Sequence, residues 1–100
     1  MSEIIGKVES ISEKRIYQRA LRPDLEKVIL EISSDDNQKV FFEVRDSCIK
    51  LLEYENIQVG DTVEVKYTFQ GSKNGDIIYN NIIVTTIKLL KNNLDGIRSI

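Results

Sequence analysis

Residues 39–69, KVFFEVRDSCIKLLEYENIQVGDTVEVKYTF, decide the fold. The stretch opens with strict alternation. Val40, Phe42 and Val44 take one side, and Lys39, Phe41, Glu43 and Arg45 the other. A period of two is that of a half-buried β-strand. The period then changes. Asp46 or Ser47 suits a helix start, and Cys48, Ile49, Leu51 and Leu52 follow at helical spacing, enough for about two turns. Val59-Gly60-Asp61 makes a tight turn, after which Val63, Val65, Tyr67 and Phe69 alternate as a second inward row. A strand, a short apolar helix and another strand in succession put the helix at one end of a β-structure. Ile49, Leu51 and Leu52 are then its plug.

The rest of the chain fits around this unit. In residues 25–33, LEKVILEIS, Val28, Leu30 and Ile32 face inward and Lys27, Ile29 and Glu31 outward. SDDNQ at 34–38 supplies turn chemistry, so strands two and three form a hairpin. Residues 3–13, EIIGKVESISE, read as a first strand. Gly6 marks a bend, and the three-residue spacing of Val8 and Ile11 implies a bulge between them. Asn74-Gly75 is a strong hairpin signal, and 77–90 form the fifth strand with Ile82, Val84 and Ile87 in the core. Three strands, a short helix and a two-stranded hairpin are the element order of an all-β, five-stranded Greek-key barrel, the OB-fold. Residues 1–90 form this single domain, and 91–100 a C-terminal tail.

Composition narrows the chemistry. The chain of 100 residues is 41% apolar and 30% charged, the balance of a globular domain. No apolar run approaches the ~20 residues that span a bilayer. MSEIIGKVES has neither the basic start nor the apolar stretch of a secretory signal. With Cys48 as the one cysteine, the expectation is a cytoplasmic, reducing location and no membrane partner. There is no histidine, so the commonest general base and metal ligand is missing, and Cys48 has no imidazole to activate it. No phosphate-binding loop or dinucleotide fingerprint occurs. Asp35-Asp36 belongs to a hairpin turn rather than a metal site. The expectation is a protein that is not an enzyme, with no cofactor and no metal.

The charge is uneven. The net charge is -2, yet KRIYQRALR at 14–22 holds four of the 14 cations and no anion, leaving ten cations against all 16 anions elsewhere. Pro23 keeps Arg22 out of the helical region, so the run is a loop. In an OB-fold that loop, between strands one and two, and the hairpin loop QGSKNGD at 70–76 flank a ligand face on strands two and three. Single-stranded nucleic acid needs cations along its backbone and flat side chains under its bases. Candidates for phosphate are Lys14, Arg15, Arg19 and Arg22 from the loop, Lys27, Lys39 and Arg45 from the face, and Lys66 and Lys73 beyond it. Tyr17, Phe41 and Tyr79 are the stacking candidates, while Tyr67, Phe69 and Tyr54 are assigned to structure. Glu31 and Glu43 share the face and are placed to pair with Lys27, Lys39 or Arg45, which lowers affinity for phosphate. The alternative is a protein-interaction module: Ile29 and Phe41 would make an apolar homodimer patch. A carbohydrate barrel has little support in a chain without tryptophan.

KVFFEVRDSCIKLL, IQVGDTVEVKYTFQG and YNNIIVTTI, with EIIGKVESI before them, resemble the small bacterial domain family DUF3127. The likeness spans residues 3 to 90. It implies an OB-fold related to single-stranded DNA-binding proteins and a bacterial or phage source. Arg45 stands where that family has an aromatic residue, and the tryptophan expected near its last strand has no counterpart.

Overall fold

The first strand, β1 (Ser2–Ile11), belongs to two ladders at once. Its residues 2–7 pair antiparallel with β5 (Thr62–Asn74), and 7–11 pair antiparallel with β3 (Leu25–Ser33). Gly6 makes this crossing possible. A side chain there would run into the Ser33 carbonyl and come within 2.6 Å of Ile32 Cγ2. Only a residue without a Cβ lets the two strands approach so closely. A bulge at Glu9 then restores the inward direction, so Val8 and Ile11 both turn to the core although three apart.

The structure is a computed structural model that describes residues 2–92. It also contains β4 (Lys39–Arg45), a 3-10 turn (Asp46–Cys48), α1 (Ile49–Tyr54) and β6 (Ile77–Lys91). β1, β5, β6, β4 and β3 close into a ring, with β4 and β6 the parallel pair. This is the expected five-stranded barrel. The basic stretch, expected as loop, contains a sixth strand, β2 (Arg15–Tyr17), which pairs with β3 outside the ring. The expected tail begins inside β6, and 93–100 lie outside the described residues. No described helix is long and apolar enough to cross a membrane.

The inward rows fill the barrel. Val8, Leu30, Ile32, Phe42, Val44, Val63 and Val65 are closed off from water. Burying each such side chain stabilises the fold by about 1.5–3 kcal/mol before entropy is counted. A bulge at Thr85 brings both Val84 and Ile87 to the core, and the Thr85 hydroxyl donates to the Lys66 carbonyl at 3.0 Å.

α1 plugs one end through Ile49 and Leu52, with Leu51 half-buried. Its start is not capped by a side chain. Asp46, at φ 47°, instead accepts the Glu26 N–H at 3.1 Å and ties the end of β4 to β3. Its C-terminus is a Schellman closure: Asn56, at φ 53°, donates to the Glu53 carbonyl (3.1 Å) and Ile57 to that of Leu52 (2.9 Å). Ile57 is thereby buried, while Tyr54, expected to be structural, points into solvent.

Candidate nucleic-acid interface

Register decides which of the candidate side chains meet. Residues directly opposite in an antiparallel pair share a face. Arg15 lies opposite Lys27, and Lys27 opposite Arg45. Three strands thus carry a transverse row of three cations across the outside of the β2–β3–β4 sheet. Like charges so placed repel. The next row supplies the counter-charge: Glu43 sits 2.6 Å from Lys27 Nζ and 3.3 Å from Arg45 Nη2. Glu43 is only 8% exposed, unusual for a carboxylate on an outer face. Arg45 also reaches the β5 side chain of Gln70 at 3.3 Å. Its Nε is a buried donor with no protein acceptor.

The aromatic candidates border this row. Tyr17 follows Arg15 two residues along β2, and the Lys27 ammonium stands 4.9 Å from its ring centroid. One face of the ring is thereby occupied by a cation. Phe41 lies opposite Glu31 on the same outer face and is 59% exposed, with Lys39 paired to Glu31 at 3.6 Å. Ile29 is half-buried opposite Glu43, so the apolar patch considered for Ile29 and Phe41 reduces to the Phe41 ring. Tyr79, exposed on β6, alternates in step with Ile83, which bridges to Glu43 and so belongs to the same outer side.

Other candidates stand elsewhere. Lys14 pairs with Glu26 at 3.7 Å and lines a cavity of about 340 Å³ beneath α1, together with Ile11, Val28 and Leu52. Arg19 folds back onto the Pro23 carbonyl, with Nε at 3.0 Å and Nη2 at 2.9 Å. Arg22 is exposed in the same loop, beside Leu21, whose φ is 62°. Lys66 lies opposite Glu3 and Thr86, separated from β4 by β6. Lys73 lies opposite Ile78, on the hairpin face turned away from Tyr79.

Arg15, Tyr17, Lys27, Lys39, Phe41 and Arg45 therefore share one outer face, which Tyr79 extends. Lys14, Lys66 and Lys73 do not share it. Sequence reading missed Gln70, whose partner Arg45 is 25 positions away, and the near-complete burial of Glu43. Local patterns carry no signal for either. Among the described residues, no three acidic, cysteine or histidine side chains converge as metal ligands.

Solved structures match this barrel along most of its length. The second OB-fold domain of replication protein A from Methanococcus maripaludis is similar at TM-score 0.64 and 18% identity, over 90% of this chain and 83% of that one. The mitochondrial single-stranded DNA-binding protein Rim1 of S. cerevisiae is similar at 0.62 and 18%, over 91% and 95%. The dimeric N-terminal domain of PriB from Thermoanaerobacter tencongensis is similar at 0.53 and 15%, over 91% and 96%. The chain has the OB-fold. No family model and no curated protein matches it, so the likeness to DUF3127 finds no such support.

Proposed function

We propose that this domain binds single-stranded nucleic acid, DNA in preference to RNA, without catalysis, as a cytoplasmic protein. The Arg15–Lys27–Arg45 row carries the reading. It crosses the face on which OB-folds take oligonucleotides. Phe41 gives an exposed ring for a base, and Tyr17 and Tyr79 two further ones. The likeness to a mitochondrial single-stranded DNA-binding protein favours DNA.

The same geometry sets the strength. Lys27 and Arg45 are already held by Glu43, Lys39 by Glu31 and Lys14 by Glu26. Few cations remain to release counterions. With three phosphates neutralised, log K falls against log salt with a slope of about 2.

Fluorescence anisotropy with labelled oligo-dT and oligo-rU at two salt concentrations tests this. Expected are weak binding at low salt, a shallow salt slope and tighter binding of the DNA. Arg15→Ala should flatten the slope further, and Phe41→Ala should lose about 1–3 kcal/mol of binding. Glu43→Gln should tighten binding and steepen the slope by freeing Lys27 and Arg45. No binding at tens of micromolar protein in low salt removes the proposal.

A further inference from the structure

Beyond the barrel, β5 and β6 continue as a two-stranded ribbon. The ladder between β4 and β6 holds a single bridge, Glu43 with Ile83. Upstream of it, β6 is bonded to β5 on one side, Asn81–Ile77 against Gln70–Asn74. Along its other side, Ile77 to Ile82 form no backbone ladder among the described residues, with Asn81 and Ile82 half-buried and Ile82 packed on the barrel core. Proteins guard such edges with charge, proline or bulges. Here no charge, proline or glycine occurs from Ile77 to Ile87. Ile77, Ile78 and Tyr79 are all exposed, Ile78 by 68%.

The sequence of this edge indicates what covers it. IIYNNII, 77–83, reads nearly the same in both directions about Asn80. Ile77 mirrors Ile83, Ile78 mirrors Ile82, and Tyr79 mirrors Asn81. A two-fold axis through an antiparallel pair of identical strands requires that residue i face j while j faces i. It also requires that opposed residues share a face. Any register meets both conditions; pairing about Asn80 also sets isoleucine against isoleucine and asparagine against asparagine, with Tyr79 opposite Asn81.

We propose that two copies of the chain associate by antiparallel pairing of this β6 edge, with Asn80 at the two-fold axis. Ile78 then packs on Ile82 of the partner subunit on one face, and Tyr79 beside Asn81 of the partner subunit on the other. Ile83 stays bridged to Glu43, so pairing covers Ile78 to Ile82. The ribbon around it, residues 68–82, carries one cation, Lys73, and one anion, Asp76. It offers no charge for a strongly charged partner to complement, which favours a second copy. Five paired residues bury far less than the roughly 800 Å² per partner of a standard complex, so the dimer is weak and concentration-dependent. None of this depends on nucleic-acid binding.

Sedimentation equilibrium without nucleic acid, from low micromolar to submillimolar protein, should show a monomer–dimer equilibrium. Asn80→Asp places two carboxylates face to face only in the dimer, and should weaken it by about tenfold at low salt. Ile78→Lys should do the same. Both positions are exposed, and an unchanged thermal melt at low concentration verifies that the fold is kept. In a Cys48→Ser background, Asn80→Cys should cross-link the dimer under mild oxidation, because opposed Cα atoms of such a pair lie about 4.5–5.5 Å apart. Ser72→Cys on β5 should not. A chain that stays monomeric throughout, a dimer that neither Asn80→Asp nor Ile78→Lys weakens, or a Ser72→Cys protein that cross-links as well as Asn80→Cys overturns the proposal.

Discussion

β5 and β6 each lie in two environments. In the barrel, Val63 and Val65 of β5 and Val84 and Ile87 of β6 are shut away from water. A few residues along the same strands, Phe69 is 66% exposed and Ile77, Ile78 and Tyr79 stand in solvent. Pairing of β5 with β6 continues through both halves, from Thr62–Lys91 to Asn74–Ile77, with bulges after Thr62 and Lys66. β1 ends its pairing with β5 at Tyr67, and β4 meets β6 only at Ile83. Past those points no strand among the described residues closes over the ribbon, and the molecule reaches 55 Å along its long axis. Local sequence makes a strand in both halves. Only the half that meets the ring becomes core.

Substitutions should separate the two halves by size of effect. Phe42→Ala, in the barrel against Tyr67, should cost about 3–5 kcal/mol in urea unfolding, since it empties a fully buried site. A cost under 1 kcal/mol would mean that the inward row does not hold the barrel. Gly6→Ala should cost about 1–3 kcal/mol, because the new methyl group meets β3 backbone that cannot move aside. Gly75→Ala, at φ 64° in the hairpin turn, should cost about 1 kcal/mol. Hydrogen exchange should place that loss in the ribbon amides and leave the barrel protected. Phe69→Ser should change stability by less than about 0.5 kcal/mol, despite removing a large ring. A larger loss would show that its edge contact with Tyr67, at 5.6 Å, makes the ribbon part of the core.

Phe69 also shows where sequence reading stops. It continues the inward row of Val63, Val65 and Tyr67, and periodicity alone assigns it to packing. The barrel closes at Tyr67, so the row runs out of partners. The hairpin turn differs by one residue for a related reason. Asn74 pairs with Ile77, leaving Gly75-Asp76 as the two-residue loop with glycine first, the II′ arrangement, rather than Asn74-Gly75 at its centre. Cross-strand register, set from the barrel end, moved the turn. Tyr54 and the absent helix cap follow the same pattern, because Asp46 is drawn to Glu26 by the packing of β4 on β3. At the interface, alternation placed Lys27, Lys39, Phe41 and Arg45 on one outer face. The alignment of Arg15 with Lys27 was not legible, because β2 forms only through its pairing with β3.

The chain's own order of residues determined the five barrel strands, the short helix, the bend at Gly6 and the inward rows, since these depend on neighbours within a few positions. Tertiary structure decided which rows are dry, which cations stand abreast, and which Glu43 holds. Those outcomes depend on strand register and ring closure between residues far apart in the chain, and an ion pair forms only when its charged atoms come within about 4 Å.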